Sequence, residues 1–166
     1  MGDWLNILFS AFWCGMAALG FAVLFNTPSR GLPAIFLSAF VAGFIKFTIM
    51  LPGVTGGIIL ASLAGASASG FISLPFSHWR HVPPIVISIP SVIPMVPGSL
   101  AYKTILGILK FIYQTNTEVL TNTVHDGILT LFIILSLSLG VTLPMLLFRI
   151  ETVKNVRIIN AGEHAR

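Results

Sequence analysis

Apolar residues fall into five long runs, separated by short polar stretches, along the 166 residues of this chain. A hydrocarbon core about 30 Å thick takes roughly 20 apolar residues of helix. Trp4–Phe25 meets that length and ends at Asn26, Pro28, Ser29 and Arg30. Gly31–Leu51 follows, interrupted only by Lys46. Gly53–Ile72 is crowded with small residues, and the polar stretch SHWRH at 77–81 follows it. Val82–Tyr113 is the fourth run; its 32 residues would make about 48 Å of straight helix, too long for one upright span. Gln114–Thr123 reads as a polar linker, and His125–Phe148 as the fifth run. The pattern predicts an all-α integral membrane protein with five transmembrane helices. The spans fall at about 4–25, 31–51, 53–72, 82–113 and 125–148 in a membrane domain 1–148, and a charged tail follows at 149–166.

The fourth span is predicted to be broken near Pro94–Gly98. Residues 90–102 read PSVIPMVPGSLAY, with Pro90, Pro94, Pro97 and Gly98 within nine positions. Each proline lacks a donor and clashes with the preceding turn. Hydrocarbon leaves free backbone groups unsatisfied, so such a break must be buried in protein or line a polar cavity. Transporters place substrate sites at breaks of this kind.

Composition fits the same class. Apolar residues make up 55 % of the chain, charged residues 8 %, and the mean hydropathy is +0.96; a soluble domain carries about 25 % charged residues. The net charge of +4 is scattered between apolar runs, so no nucleic-acid footprint forms and no nucleic-acid partner is expected. The lone Cys14 permits no internal disulfide. The start, MGDW, has no basic region before the first apolar run, so that run is expected to be a permanent span, not a cleaved signal. Arg30, Arg80, Arg149, Lys154, Arg157 and Arg166 fall on one side of a five-span topology, and Asp3, Glu118 and Asp126 on the other. Basic loops favour the cytoplasm. The expected arrangement is a multi-pass protein of the cytoplasmic membrane, amino terminus outside and carboxyl terminus inside. Two re-entrant segments in place of the fourth span would change that parity.

Small residues recur every four positions at Gly57, Ala61, Gly65 and Ser69, with related rows at Ala39–Gly43 and at Ala11, Gly15, Ala18 and Ala22. Such stripes let helix backbones approach closely in lipid; they read first as packing, and second as contacts with a partner. Lys46 lies about five residues from the end of its run. It either snorkels its ammonium to the interface or serves a substrate inside the bundle. Near the break, a half-helix starting at Gly98 offers N–H groups and a positive dipole end, and Lys103 adds a charge one turn on. Ser99 and Tyr102 add hydroxyls. The predicted substrate-binding set is therefore Pro94, Pro97, Gly98, Ser99, Tyr102, Lys103 and Lys46, matched to a carboxylate. The alternative for this region is a kinked structural helix with a snorkelling lysine. His78, Arg80 and His81 read as a solvated loop, and His125–Asp126 as a helix start. No GxSxG, HExxH or Walker loop is present, so neither an enzyme nor a metal or cofactor site is expected.

Three stretches, GFAVLFNTPSR at 20–30, VIPMVPGSLAY at 92–102 and GVTLP at 140–144, resemble the small, membrane-only subunit of the threonine/serine exporter family. The match runs in the same order over most of the chain. The resemblance implies one half of an exporter of small carboxylates: threonine and serine in the fused form of the family, succinate in a two-subunit form. It also implies a partner, a larger membrane subunit carrying a soluble domain and five spans of its own. Independently, five spans cannot contain two equal inverted halves, so a second subunit or a second copy in a homo-oligomer is expected to complete the site. The expected function is export, alongside lipid and a small carboxylate as the other partners. The competing expectation is a non-transporting membrane scaffold for a larger soluble-domain subunit.

Overall fold

The computed structural model describes residues 2–51, 57–113 and 117–149, and all of their regular structure is helical. The elements are α1 (Gly2–Leu24), α2 (Leu32–Ile49), α3 (Ile58–Arg80), α4 (Pro84–Val92), α5 (Gly98–Tyr113) and α6 (Thr117–Arg149). Short 3₁₀ turns precede α2 at Ser29–Gly31 and follow α4 at Ile93–Met95. Four stretches are long and apolar enough to cross a membrane: Trp4–Leu24, Ser29–Ile49, Ile58–Arg80 and Thr117–Phe148. A bent pair, Pro84–Met95 and Gly98–Tyr113, whose axes differ by 56°, together has the length and apolarity of a fifth, broken span or of a re-entrant loop. With nine residues, α4 is about 14 Å long and cannot cross a bilayer core alone. The protein is thus an all-helical integral membrane protein, with its break where the prolines cluster.

The first and third helices end alike. Asn26 and His81 take the left-handed conformation, with φ of 54° and 53°. The next residue donates five positions back, Thr27 to Ala22 O at 2.9 Å and Val82 to Ser77 O at 3.3 Å. This is the Schellman closure, usually built on glycine; asparagine and histidine tolerate the left-handed region better than most residues. A proline follows each turn, at Pro28 and Pro83, and launches the next helix.

Two segments read as polar connections are helical. α3 continues through SHWRH to Arg80 and carries Pro75 inside it. There the His78 ring bonds the Leu74 carbonyl, 3.2 Å away and one turn back. Most of the stretch 114–123 belongs to α6, which starts at Thr117. Thr121 and Thr123 fold their hydroxyls onto the Thr117 and Val119 carbonyls at 3.0 and 2.6 Å, removing the polar cost of the helix. Gly107 of α5 then lets Thr123 sit directly on its backbone. At 33 residues, about 50 Å, α6 exceeds the bilayer core. The charged tail beyond Arg149 lies outside the described residues.

Small residues set the packing. α3 lies between α2 and α6. A Cβ on Gly65 would fall 2.7 Å from the Ala42 carbonyl and 2.6 Å from Met95 Cε. One on Gly140 would fall 2.8 Å from the Leu63 carbonyl. Ala61 and Ser69 are fully buried. Gly57 departs from the expected stripe: a Cβ there meets nothing within 4 Å, because Gly57 precedes the helix and is exposed. Two buried clusters result, one around Ala22, Ile35 and Ile87 and one around Ala66, Met95 and Leu137.

Gly65→Leu and Gly140→Leu should therefore sharply reduce the yield of folded protein in detergent extracts. Overpacking costs about 1–3 kcal/mol where neighbours can shift, and more where backbone carbonyls block the new atoms. Gly57→Leu should extract at the normal level. A normal, monodisperse yield for both Gly65→Leu and Gly140→Leu would contradict this packing.

Candidate functional site

The break opens because the chain turns before the helix can continue. Ile93–Met95 makes one 3₁₀ turn, Val96 is extended with ψ 132°, and Pro97 has no N–H to give. In a continuous helix the Met95 carbonyl would receive the N–H of Ser99. Here it points instead at α2, where the Lys46 ammonium donates to it at 2.9 Å. Lys46 is 8 % exposed, the one buried charge among the described side chains. Cα–Cβ bonds of a helix lean toward its amino end, so the lysine stem starts back into the span. The ammonium is held inside the bundle, and the snorkelling alternative finds no support in this geometry. Met95 O is the single hydrogen-bond partner of Lys46 among the described residues. An ammonium has three donors, so two remain for something else.

Between this pair and the α3–α4 turn, buried hydroxyls tie the helices together. Ser38 of α2 and Ser69 of α3 are fully buried, with their oxygens 2.9 Å apart. Ser91 of α4 donates to the carbonyls of Ile87 at 2.7 Å and Ile35 at 3.2 Å, tying α4 to α2. Ser73 and Ser88 bond their own helices at 2.7 and 3.0 Å. Cys14 of α1 packs on Gly43, one turn before Lys46; its Cβ lies 3.1 Å from where a Gly43 Cβ would be. Four of the helices therefore meet around one ammonium and one released carbonyl.

The predicted site residues divide into two groups. Lys46 meets the break at Met95, beside the half-buried Pro94 and Pro97. Gly98, Ser99, Tyr102 and Lys103 begin α5 and are exposed, Tyr102 at 63 %. The α5 amino end is less open than a bare helix start. Gly98 N–H bonds Val96 O at 2.9 Å, while Leu100 and Ala101 N–H both bond Pro97 O at 3.1 Å. A Cβ on Gly98 would meet nothing within 4 Å, so no backbone or side chain crowds that point. Sequence reasoning did not find the Met95 carbonyl, because a backbone acceptor leaves no residue-type signal. It did not find the buried serines either, since serine is ordinary in any membrane helix.

Comparison with known proteins agrees with this architecture. One protein similar to the chain is an uncharacterized protein of Haemophilus influenzae, 27% identical over 157 residues. The match covers 89% of this chain but 52% of that protein, so the chain spans about half the length of the curated relative it matches. No solved structure matches the chain. The family model described as Threonine/Serine exporter, ThrE, matches residues 10–147, and with most of its length inside that match the chain belongs to the threonine/serine exporter family.

Proposed function

We propose that this protein is one subunit of a secondary exporter for small carboxylates, threonine or serine or a dicarboxylate such as succinate. In this reading the Lys46 ammonium at the α4–α5 break is the counter-charge for the substrate carboxylate. The observation that carries it is the buried Lys46–Met95 pair. A neutral carbonyl compensates an ammonium only in part, and an unpaired charge away from water is strongly unfavourable. A carboxylate supplies the missing charge and can take the two unused donors. Lys103, exposed one turn into α5, adds a positive charge on the approach to the break, with Ser99 and Tyr102 beside it. The family membership supports the transport class. In this reading a second half, in another subunit or a second copy, completes the transport path, and a relative about twice as long is in keeping with it. Arg30, Arg80, Arg149, Lys154, Arg157 and Arg166 support a cytoplasmic carboxyl terminus.

Replacing Lys46 separates a transport role from a structural one. Lys46→Met removes a buried charge but leaves the Met95 carbonyl without its donor, at a cost of about 1–3 kcal/mol. It should reach the membrane at a reduced but measurable level, and efflux is compared per molecule of protein in the membrane. Export of threonine, serine and succinate, measured as efflux from loaded cells, should fall below a tenth of the starting rate; one charge-assisted hydrogen bond alone is worth about 1.5–3 kcal/mol. Lys46→Arg should keep part of the activity. Normal efflux by Lys46→Met would rule out Lys46 as the counter-charge. Lys103→Ala should raise the half-saturating concentration, because that lysine acts at the approach.

A reporter fused after Arg166 tests the orientation. It should be active only in a form that works in the cytoplasm. Strong activity of a reporter that works only outside would reverse the topology.

A further inference from the structure

We infer that Ser62 is a second substrate-reading residue of this site and recognises the side-chain hydroxyl of a hydroxylated amino acid. This inference rests on the proposed export of small carboxylates past Lys46. It begins from an anomaly among the buried hydroxyls. Ser38, Ser69, Ser73, Ser88, Ser91, Thr123, Thr130 and Ser136 all have partners within the bundle. Ser62 is fully buried, and its Oγ has none among the described residues. The usual remedy for a helical serine is a bond to a carbonyl three or four positions back, as Ser73, Ser88 and Ser91 show. Ser62 forgoes that remedy. Buried polar groups are rarely left so, and those that are need an explanation.

Register places this loose end at the depth of Lys46. Ser38 of α2 faces Ser69 of α3. Four residues on, the Ala42 carbonyl faces Gly65, whose Cβ position is also 3.4 Å from Lys46 Cβ. The helices run antiparallel, so the next step sets Lys46 opposite Ala61, the neighbour of Ser62. On α3, Ser62 lies one turn before Ala66, which packs in the same cluster as Met95 and Leu137. One hydroxyl without a partner and one ammonium with two unused donors thus share one layer of the core, next to the break. A ligand with a carboxylate for Lys46 and a second polar group a few bonds away would satisfy both. A site built to hydrogen-bond a substrate hydroxyl rejects the analogue that lacks it.

The test uses inside-out membrane vesicles from cells of the native host, so that any partner subunits are present. The probes are L-threonine and L-2-aminobutyrate, which differ by the side-chain hydroxyl. The unaltered protein should take up threonine with a half-saturating concentration about 10-fold below that of aminobutyrate, the worth of one neutral hydrogen bond. Ser62→Ala should abolish that preference by raising the threonine value about 10-fold while leaving aminobutyrate unchanged. Ser62→Thr, which keeps the hydroxyl, should restore part of the preference if its extra methyl is accepted. Equal behaviour of Ser62→Ala and the unaltered protein overturns the inference, and so does an equal loss for both probes, which would mark a packing role. If Ser62→Ala fails to reach the membrane, the near-isosteric Ser62→Cys takes its place, with the same two outcomes deciding. Lys46→Met in the same vesicles separates the two ideas. Loss of both probes there, with Ser62→Ala unchanged, defeats the role of Ser62 alone; normal uptake by Lys46→Met defeats the underlying reading.

Discussion

A hydrocarbon solvent offers no hydrogen bonds, and the architecture around the break follows from that constraint. α4 accommodates Pro90, but the chain leaves the helix at the 3₁₀ turn that holds Pro94 and at extended Val96, just before Pro97. The turn at Val96 and Pro97 then releases the Met95 carbonyl into the bundle. In water such a carbonyl would be solvated at little cost. In a membrane it must find a donor within the protein, and that donor is Lys46 at 2.9 Å. The lysine has the complementary difficulty, a charge away from water. Each is tolerable because the other is present. Pairing them fixes the end of α4 against α2, and Ser91 fixes its middle against Ile35 of the same helix.

Small residues make this arrangement geometrically reachable. The lysine stem passes beside Gly65 and the thioether of Met95 lies against the same glycine, so any larger side chain there would displace one of the two. Gly140 performs the corresponding service between α6 and the far side of α3. Without a hydrophobic drive between helices in lipid, close backbone approach and interhelical hydrogen bonds provide the adhesion. The Ser38–Ser69 bond in the middle of the α2–α3 contact is one such link. The small-residue stripes and the charged site are therefore one structural feature: the first brings three helices near enough for the second to form.

Much of this was legible in the sequence, for identifiable reasons. The helical class and the break depend on composition and on proline chemistry, which act wherever the chain is placed. The family resemblance carried by GFAVLFNTPSR, VIPMVPGSLAY and GVTLP agrees with the family match over residues 10–147. Helix ends were read less well. Thr121 and Thr123 look like linker residues until their hydroxyls are folded back on the helix, and SHWRH looks like a loop although α3 runs through most of it. Polar residues at the rim of a membrane helix serve either state equally. Gly57 fits the four-residue stripe by spacing but lies before the helix that the stripe occupies. For Lys46 the sequence left two directions open, outward or inward. Only the position of Met95, 49 residues away, decides between them.

The same pair bears on how a site of this kind can move. In the proposed reading, a substrate carboxylate approaches an ammonium whose only described protein partner is a backbone carbonyl at a bend of 56°. A carboxylate attracts an ammonium more strongly than a neutral carbonyl does, because it carries a full opposite charge. Besides taking the two unused donors, the carboxylate can draw the third away from Met95 O and so weaken the contact that holds α4 to α2. A ligand shifts a conformational equilibrium only by its differential affinity for the two states. Here that differential has a definite atomic origin, since the state with Met95 O released offers the substrate one more donor than the state with it bound. In the same reading, emptying the site returns the third donor to the carbonyl. A uniformly apolar bundle of the same shape would have no such dependence, because nothing in it would exchange partners when a carboxylate arrived.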